Sequence, residues 1–212
     1  MHTPDVASRP AVHSISRVVF SVPDLDAAQV FYSAFGLDVR REGARLDLYT
    51  FGHQHRWISI TANGQPKRLQ YLQLGIYAED EAAFAERVAA LGLGCKPAVD
   101  AEPGGIWLRC PDGTLLQLLA GEKVSPSHKT RPAKAVKAAR GLGAAPARSQ
   151  AQQVRPRALS HVLLFTPKLP QMLSFCEDVL GLRLSDRSGD VIAFMHSAHG
   201  SDHHLLALVK SQ

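Results

Sequence analysis

The sequence predicts an α+β protein assembled from repeated β-α-β-β-β modules, and three observations support that class. The segment ISRVVFSVPDLDAAQVFYSAFGLDVR (15–40) aligns with LSHVLLFTPKLPQMLSFCEDVLGLRLS (159–185). Each runs from an apolar strand through a proline into an amphipathic helix, and then into a Gly-Leu. A fainter third copy, LQYLQLGIYAEDEAAFAERVAALGLGCK (69–96), keeps the order strand, helix, Leu-Gly-Leu, strand. Short runs of strand character follow every helix. One order of elements used three times marks a single supersecondary unit, and one helix per several strands places the helices on one face of a sheet.

The elements follow in chain order. After the first helix, strands are expected at DVRRE, ARLDLYTF and RWISITA; after the second, at CKPAVD, GIWLRC and LLQLLA, the last two joined by the turn 111–114. After the third they are expected at LRLSDR, DVIAFMHS and HHLLALVK. Each module is expected to form an antiparallel sheet with its helix on one face. The other face needs cover, so modules one and two, residues 14–121, are expected to pack into a cupped, pseudo-symmetric domain. Module three, 157–212, is then half of a second domain without a partner module. Residues 122–156 read as a flexible basic linker, rich in Ala, Pro and Gly and lacking aromatics. Asp24, Asp26 and Asp112 read as helix-cap and turn residues.

Charge and composition exclude several classes. The net charge of +5 on 212 residues would suit nucleic acid, but eight Lys/Arg and no acid fall between Lys123 and Pro156. Outside that stretch sixteen basic residues face nineteen acidic ones. The folded parts are therefore not basic, which argues against nucleic-acid binding as the main function. No run approaches the roughly 18 apolar residues of a membrane span, and MHTPDVASRPAVHS lacks the apolar core of a secretory signal. Cys95, Cys110 and Cys176 are scattered and odd in number, as expected of buried thiols in a reducing cytoplasm.

The repeated units, with Phe31-Tyr32 followed by Gly36-Leu37, resemble the vicinal oxygen chelate superfamily of glyoxalases, bleomycin-resistance proteins and dioxygenases. Residues 159–210 are most similar to the type I extradiol ring-cleaving dioxygenases of the catechol 2,3-dioxygenase kind. The resemblance implies an Fe(II) enzyme, with Mn(II) as an alternative, that inserts O2 beside the two hydroxyls of a catechol. It implies a catechol-type small molecule and O2 as partners, and self-association as a homo-oligomer. A non-enzymatic binding or assembly module of the same fold, or a glyoxalase-like protein, is the alternative reading.

The histidines carry the chemistry. His161 shares a strand face with Leu159, Leu163 and Phe165 by the period of two. The repeat puts Arg17 and Tyr71 in its place in the other modules, so only module three offers an imidazole there. The resemblance implies that His161 is the first metal ligand of a 2-His-1-carboxylate set, which leaves positions open for substrate and oxygen. His203 and His204 open the last strand, where alternation lets only one point into the cup. His204, leading Leu205-Leu206-Ala207-Leu208, matches the acid–base histidine of the family, a task for a group titrating near neutrality. His203 is expected to face outward or to support His204, and His196 and His199 to line the entrance. His53 and His55 in GHQHRW read as loop residues.

The resemblance places the second His ligand and the Glu ligand in a fourth module, and the sequence stops at Gln212. A C-terminally truncated form is therefore expected, carrying one ligand position and one acid–base histidine, with the N-terminal domain free of metal. One neutral imidazole holds Fe(II) poorly against water. The 212-residue chain is accordingly expected to be incomplete or inactive.

Overall fold

The computed structural model describes residues 9–62, 64–99, 101–124 and 155–212. Most of the expected linker lies outside the described residues. Module one runs β1 (Ser14–Val22), α1 (Leu25–Phe35), β2 (Asp38–Glu42), β3 (Arg45–Tyr49) and β4 (Arg56–Ala62). Asp24 starts α1: its extended backbone lets one carboxylate oxygen accept the N–H groups of Asp26 and Ala27 at 2.8 and 3.0 Å. Gly36, left-handed at φ 99°, ends it and turns Leu37 toward β2. Module two has β5 (Arg68–Ile76), a 3-10 turn (Ala78–Asp80), α2 (Glu81–Ala90), β6 (Ile106–Arg109) and β7 (Leu115–Ala120). Module three has β8 (Val162–Thr166), α3 (Leu169–Asp178), β9 (Leu182–Ser188), β10 (Ile192–Ser197) and β11 (Leu206–Lys210).

Modules one and two form one seven-stranded sheet in the order β2-β3-β4-β1-β5-β7-β6, and module three forms a four-stranded sheet, β8-β11-β10-β9. The sheets are mixed, which corrects the antiparallel expectation. In every module the first and last strands pair in parallel, β1 with β4, β5 with β7 and β8 with β11. The helix returns the chain to the starting end, so the next strand runs in the first strand's direction, and two reversals later the last strand does so again. The antiparallel pair β1–β5 joins modules one and two. Module two also lacks the strand expected at CKPAVD. Among the described residues an isolated bridge, Gly94 with Leu108, stands there, with the Cys95 N–H donating to the Trp107 carbonyl and the Arg109 N–H to the Leu93 carbonyl, each at 3.1 Å. Pro97 has no N–H with which to continue that ladder.

The helix faces bury into two cores. Phe20, Leu25, Ala28, Leu46, Leu48 and Ile60 close around α1. The larger core is shared: Leu72, Leu74, Phe84 and Val88 of module two pack in one cluster with Leu169, Met172, Phe175, Cys176 and Leu208 of module three. Module three thus shares its helix-face core with module two, a contact the repeat did not announce. Its opposite face carries exposed Leu163 and Phe165, the latter 70% exposed.

A strap ahead of β1 locks the two sheets, although nothing in the repeat includes it. Ala11 and Val12 are buried. The Val12 N–H donates to the Leu180 carbonyl at 2.9 Å, and the Ser197 hydroxyl donates to the Val12 carbonyl at 2.7 Å. Gly181, at φ 69°, leaves room for the crossing, since a Cβ there would lie 2.6 Å from the Pro10 carbonyl oxygen. Arg87 of α2 donates to the carbonyls of Pro10 and Val179. The His13 N–H pairs with the Gly75 carbonyl at 2.9 Å, and its ring occupies the space beside Gly75 that a Cβ would need. Its Nε2 sits 3.0 Å from the Gly121 carbonyl and its Nδ1 2.8 Å from the Ser14 hydroxyl.

Two outcomes follow from this packing. A Cβ at Gly75 would stand 2.5 Å from His13 Cε1. Gly75→Ala is therefore expected to destabilise by about 1–3 kcal/mol through overpacking, read as a lowered thermal midpoint. The second outcome concerns acid. Burial pushes the His13 pKa down against the Gly121 and Ile76 carbonyls, which favour the charged ring, and the neighbouring His199 and Lys123 charges push the same way. The unfolded chain then takes up the proton first. Stability should be full above about pH 6.5 and fall as the pH drops below it. Urea titrations at neutral and mildly acidic pH should show this loss in the native sequence and a flatter dependence in His13→Gln. An unchanged slope in that variant would assign the acid sensitivity elsewhere.

Candidate functional site

Strand register relates the modules position by position. On the parallel first–last pairs, Val18 faces Ile58, Leu72 faces Leu116 and Val162 faces Leu206. Stepping back along each ladder, Arg17 and Arg56 of module one, Tyr71 and Thr114 of module two, and His161 and His204 of module three hold the same pair of positions.

In module one this pair converges on a single anion. The Arg17 guanidinium donates to Glu102 Oε2 at 2.8 Å, and Arg56 grips the other oxygen of the same carboxylate. The Arg17 hydrogen bond is the chief cause that holds Glu102 down to about 2. Arg56 also reaches Asp47 at 3.1 Å; Asp47, 1% exposed, accepts from Arg45 at 3.0 Å and from the Ser59 hydroxyl at 2.7 Å. Beside this network, Gln73 and Gln117 are bonded at 2.7 Å, and Tyr71 meets Trp107 edge-on at 4.9 Å. The N-terminal cup is thus filled by its own ion pairs and aromatic rings.

In module three the same pair presents two imidazoles, with the His161 and His204 ring centres 4.3 Å apart. Phe194 of β10 supports them, its ring 4.9 Å from His204 and 5.7 Å from His203. Ser160 Oγ lies 2.9 Å from His161 Nδ1, which leaves Nε2 as the nitrogen for a further partner. Burial, then the neighbouring His161 and His203, lower the pKa of His204, so the ring is neutral and able to accept a proton at neutral pH. Exposed Leu163 and Phe165 extend the same strand face beside His161.

The structure corrects two expectations for the other histidines. His203 and His204 precede β11 in a bend, so they do not alternate as they would in a strand; both rings reach Phe194, and their Nδ1 atoms are 3.3 Å apart. His199 does not line this site. It turns toward module two, its ring edge-on to Tyr77 at 4.9 Å and its Nε2 3.8 Å from Asp80. His196 stays on the face of Phe194 and bonds Ser185 through Nδ1 at 2.7 Å. His55 Nε2 bonds the Ser16 carbonyl at 2.6 Å, and Asp112 accepts the Thr114 N–H in its turn. Among the described residues, no group of three or more His, Cys, Asp or Glu side chains is arranged to hold a metal ion. The donors fit the imidazole part of a ligand set and do not complete one.

No family model matches the chain. It is 48% identical over 210 residues to metapyrocatechase 2 of Cupriavidus necator, across 98% of this chain and 64% of that relative. The chain is therefore similar, over nearly all of its own length, to this metapyrocatechase. It spans a little under two thirds of the length of that relative. Among solved structures, homoprotocatechuate 2,3-dioxygenase from Brevibacterium fuscum, as its E323L mutant, superposes with a TM-score of 0.69 at 19% identity, over 98% of this chain and 56% of that one. The 2,3-dioxygenase LapB of Pseudomonas sp. KL28 gives 0.68 at 18%, over 96% and 72%. A Mn(II)-bound glyoxalase from Novosphingobium aromaticivorans gives 0.68 at 25%, over 95% and 63%. No helix is long and apolar enough to cross a membrane among the described residues.

Sequence reasoning passed over Ser185, Ser160 and Phe194. Alternation puts Phe194 on the face of His196, a signal available in advance. The role of Ser185 was not, because it depends on the bend. Its hydroxyl donates to the His203 carbonyl at 2.5 Å while accepting from His196 Nδ1–H, so one side chain fixes both a backbone and a tautomer. Ser185→Ala should cost about 1 kcal/mol in stability. Imidazole nitrogen NMR should show His196 losing its Nδ1–H form, and amide exchange at His203 and His204 should quicken. A His196 tautomer unchanged by the substitution would contradict this role.

Proposed function

We propose that the chain contributes the substrate-facing wall of an extradiol dioxygenase, opening a catechol ring with O2 at a divalent iron or manganese centre. The observation that carries this reading is the His161–His204 pair, held at the ladder positions from which module one converges two arginines on one anion. In this reading residues 14–121 are a supporting domain without metal, and the third module is the catalytic half-site. His161 is the metal ligand, and the remaining donors lie outside the described residues. The bound metal would supply activation of O2 and acidification of the catechol hydroxyls. His204, neutral, accepts a proton from a catechol hydroxyl and returns it as the ring opens. Phe194 fixes the His204 ring by packing, Ser160 orients His161, and Leu163 with Phe165 form an apolar wall for the aromatic ring. A glyoxalase-type reaction is the second reading, favoured by the likeness to the Mn(II)-bound glyoxalase.

The test joins this chain to the remaining third of metapyrocatechase 2, loads Fe(II) without oxygen, then adds catechol and O2. Yellow ring-fission product is expected. His161→Ala should abolish iron retention, whereas His204→Phe should retain iron and slow turnover by about 10²–10⁴-fold. Full turnover in His161→Ala, or loss of iron in His204→Phe, would overturn the assigned roles. Isomerisation of a thiohemiacetal without ring fission would favour the glyoxalase reading.

A further inference from the structure

A second concavity lies at the open end of the module-two half of the N-terminal sheet. It has a volume of about 860 Å³ and is bounded by the start of β5, the loop 96–99 and the β6–β7 turn. Three cations line it, Arg68, Lys96 and Arg109, with a single acid, Asp112. The Asp112 carboxylate is engaged by the Thr114 N–H within its own turn at 3.0 Å.

These cations differ from the others on this sheet. Arg17, Arg45 and Arg56 are paired with Glu102, Asp47 and Glu42 inside or at the rim of the cup. Arg40 pairs with Asp38 and Arg41 with Asp26 on the outer surface. Arg109 donates only to the Gly113 carbonyl, at 3.1 Å. Among the described residues, neither Arg68 nor Lys96 nor Arg109 has a carboxylate partner. Among the described residues of this sheet, the arginines without a carboxylate partner gather at this concavity.

The floor is apolar. Leu69, Ala98 and Leu115 line it. Ala98 and Leu115 pack down onto the buried cluster of Val19, Tyr71 and Trp107, so the floor is backed by rigid aromatic rings. A volume of this size suits a small molecule. Guanidinium groups favour planar, bidentate anions, and the leucines favour a ligand with an apolar body.

We propose that this groove binds a small organic acid: its carboxylate meets Arg68 and Arg109, with Lys96 adding charge, and its apolar body rests on Leu69 and Leu115. The site is separate from the histidine pair and does not depend on the reading given for it.

The experiment titrates the chain with benzoate, benzyl alcohol and inorganic phosphate by calorimetry at low salt. Saturable benzoate binding is expected. It should weaken by about tenfold or more when both arginines are replaced, Arg68→Gln with Arg109→Gln, because a charge-assisted bidentate contact is lost. Both residues are exposed, so the variant should unfold at the temperature of the native sequence. His161→Ala should leave benzoate affinity unchanged. The proposal is overturned by absence of saturable benzoate binding, by undiminished binding in the double variant, or by loss of binding in His161→Ala. Equal affinity for benzyl alcohol would overturn the role of the cations, and equal affinity for phosphate that of the apolar floor.

Discussion

The structure depends on burying α2 and α3 in one core. Each helix has one apolar stripe that must be buried against another element. Phe84 and Val88 from one side, and Met172, Phe175 and Cys176 from the other, remove both stripes from water together. The strap at Ala11, Val12 and His13 then ties the two sheets through backbone hydrogen bonds that are themselves buried, and a buried polar group left unpaired costs about 1–3 kcal/mol. The two cysteines in this core, Cys110 and Cys176, are held as neutral thiols, burial pushing Cys176 to about 12. They act as small apolar residues, not nucleophiles.

With the scaffold fixed, the modules become comparable by ladder position. Arg17 with Arg56, and His161 with His204, come from the same two places on the first and last strands. The backbone aims both pairs at a common point. In module one that point holds a carboxylate, because two permanent cations demand an anion. In module three two imidazoles stand there, and a neutral imidazole offers a lone pair instead of a charge. The same geometry that closes one cup with an ion pair leaves the other able to take a cation or a hydroxyl proton. Side-chain identity at two positions separates a module closed by ion pairs from one that presents two imidazoles.

Much of this was legible from the repeat. The helix after a proline, the Asp24 cap and the placing of His161 opposite Arg17 all follow from local pattern, because each rests on residues close in sequence. Features decided by distant contacts were not. The strap has no periodicity to announce it, since its burial is created by Leu180, Gly181 and Ser197 far along the chain. The missing strand near Pro97 was a strand by composition, and its ladder was lost to one absent N–H. His199 looked like a neighbour of His196 by number. The turn after Ser197 sends it to Asp80 instead, where its Nε2 has no hydrogen-bond partner among the described residues.

The open face of module three sets the electrostatics of the histidine pair. His204 already titrates below its ordinary value, through burial and through the charges of His161 and His203. Anything apolar that covers Leu163, Phe165 and Phe194, whether substrate or protein, removes water from the same rings. Lower local dielectric lowers an imidazole pKa further and strengthens its hydrogen bonds at once. A ring that is neutral before cover arrives therefore stays neutral beneath it. It keeps the capacity to accept one proton from whatever hydroxyl lies closest, and the Ser185 and Phe194 contacts hold it in the geometry to do so.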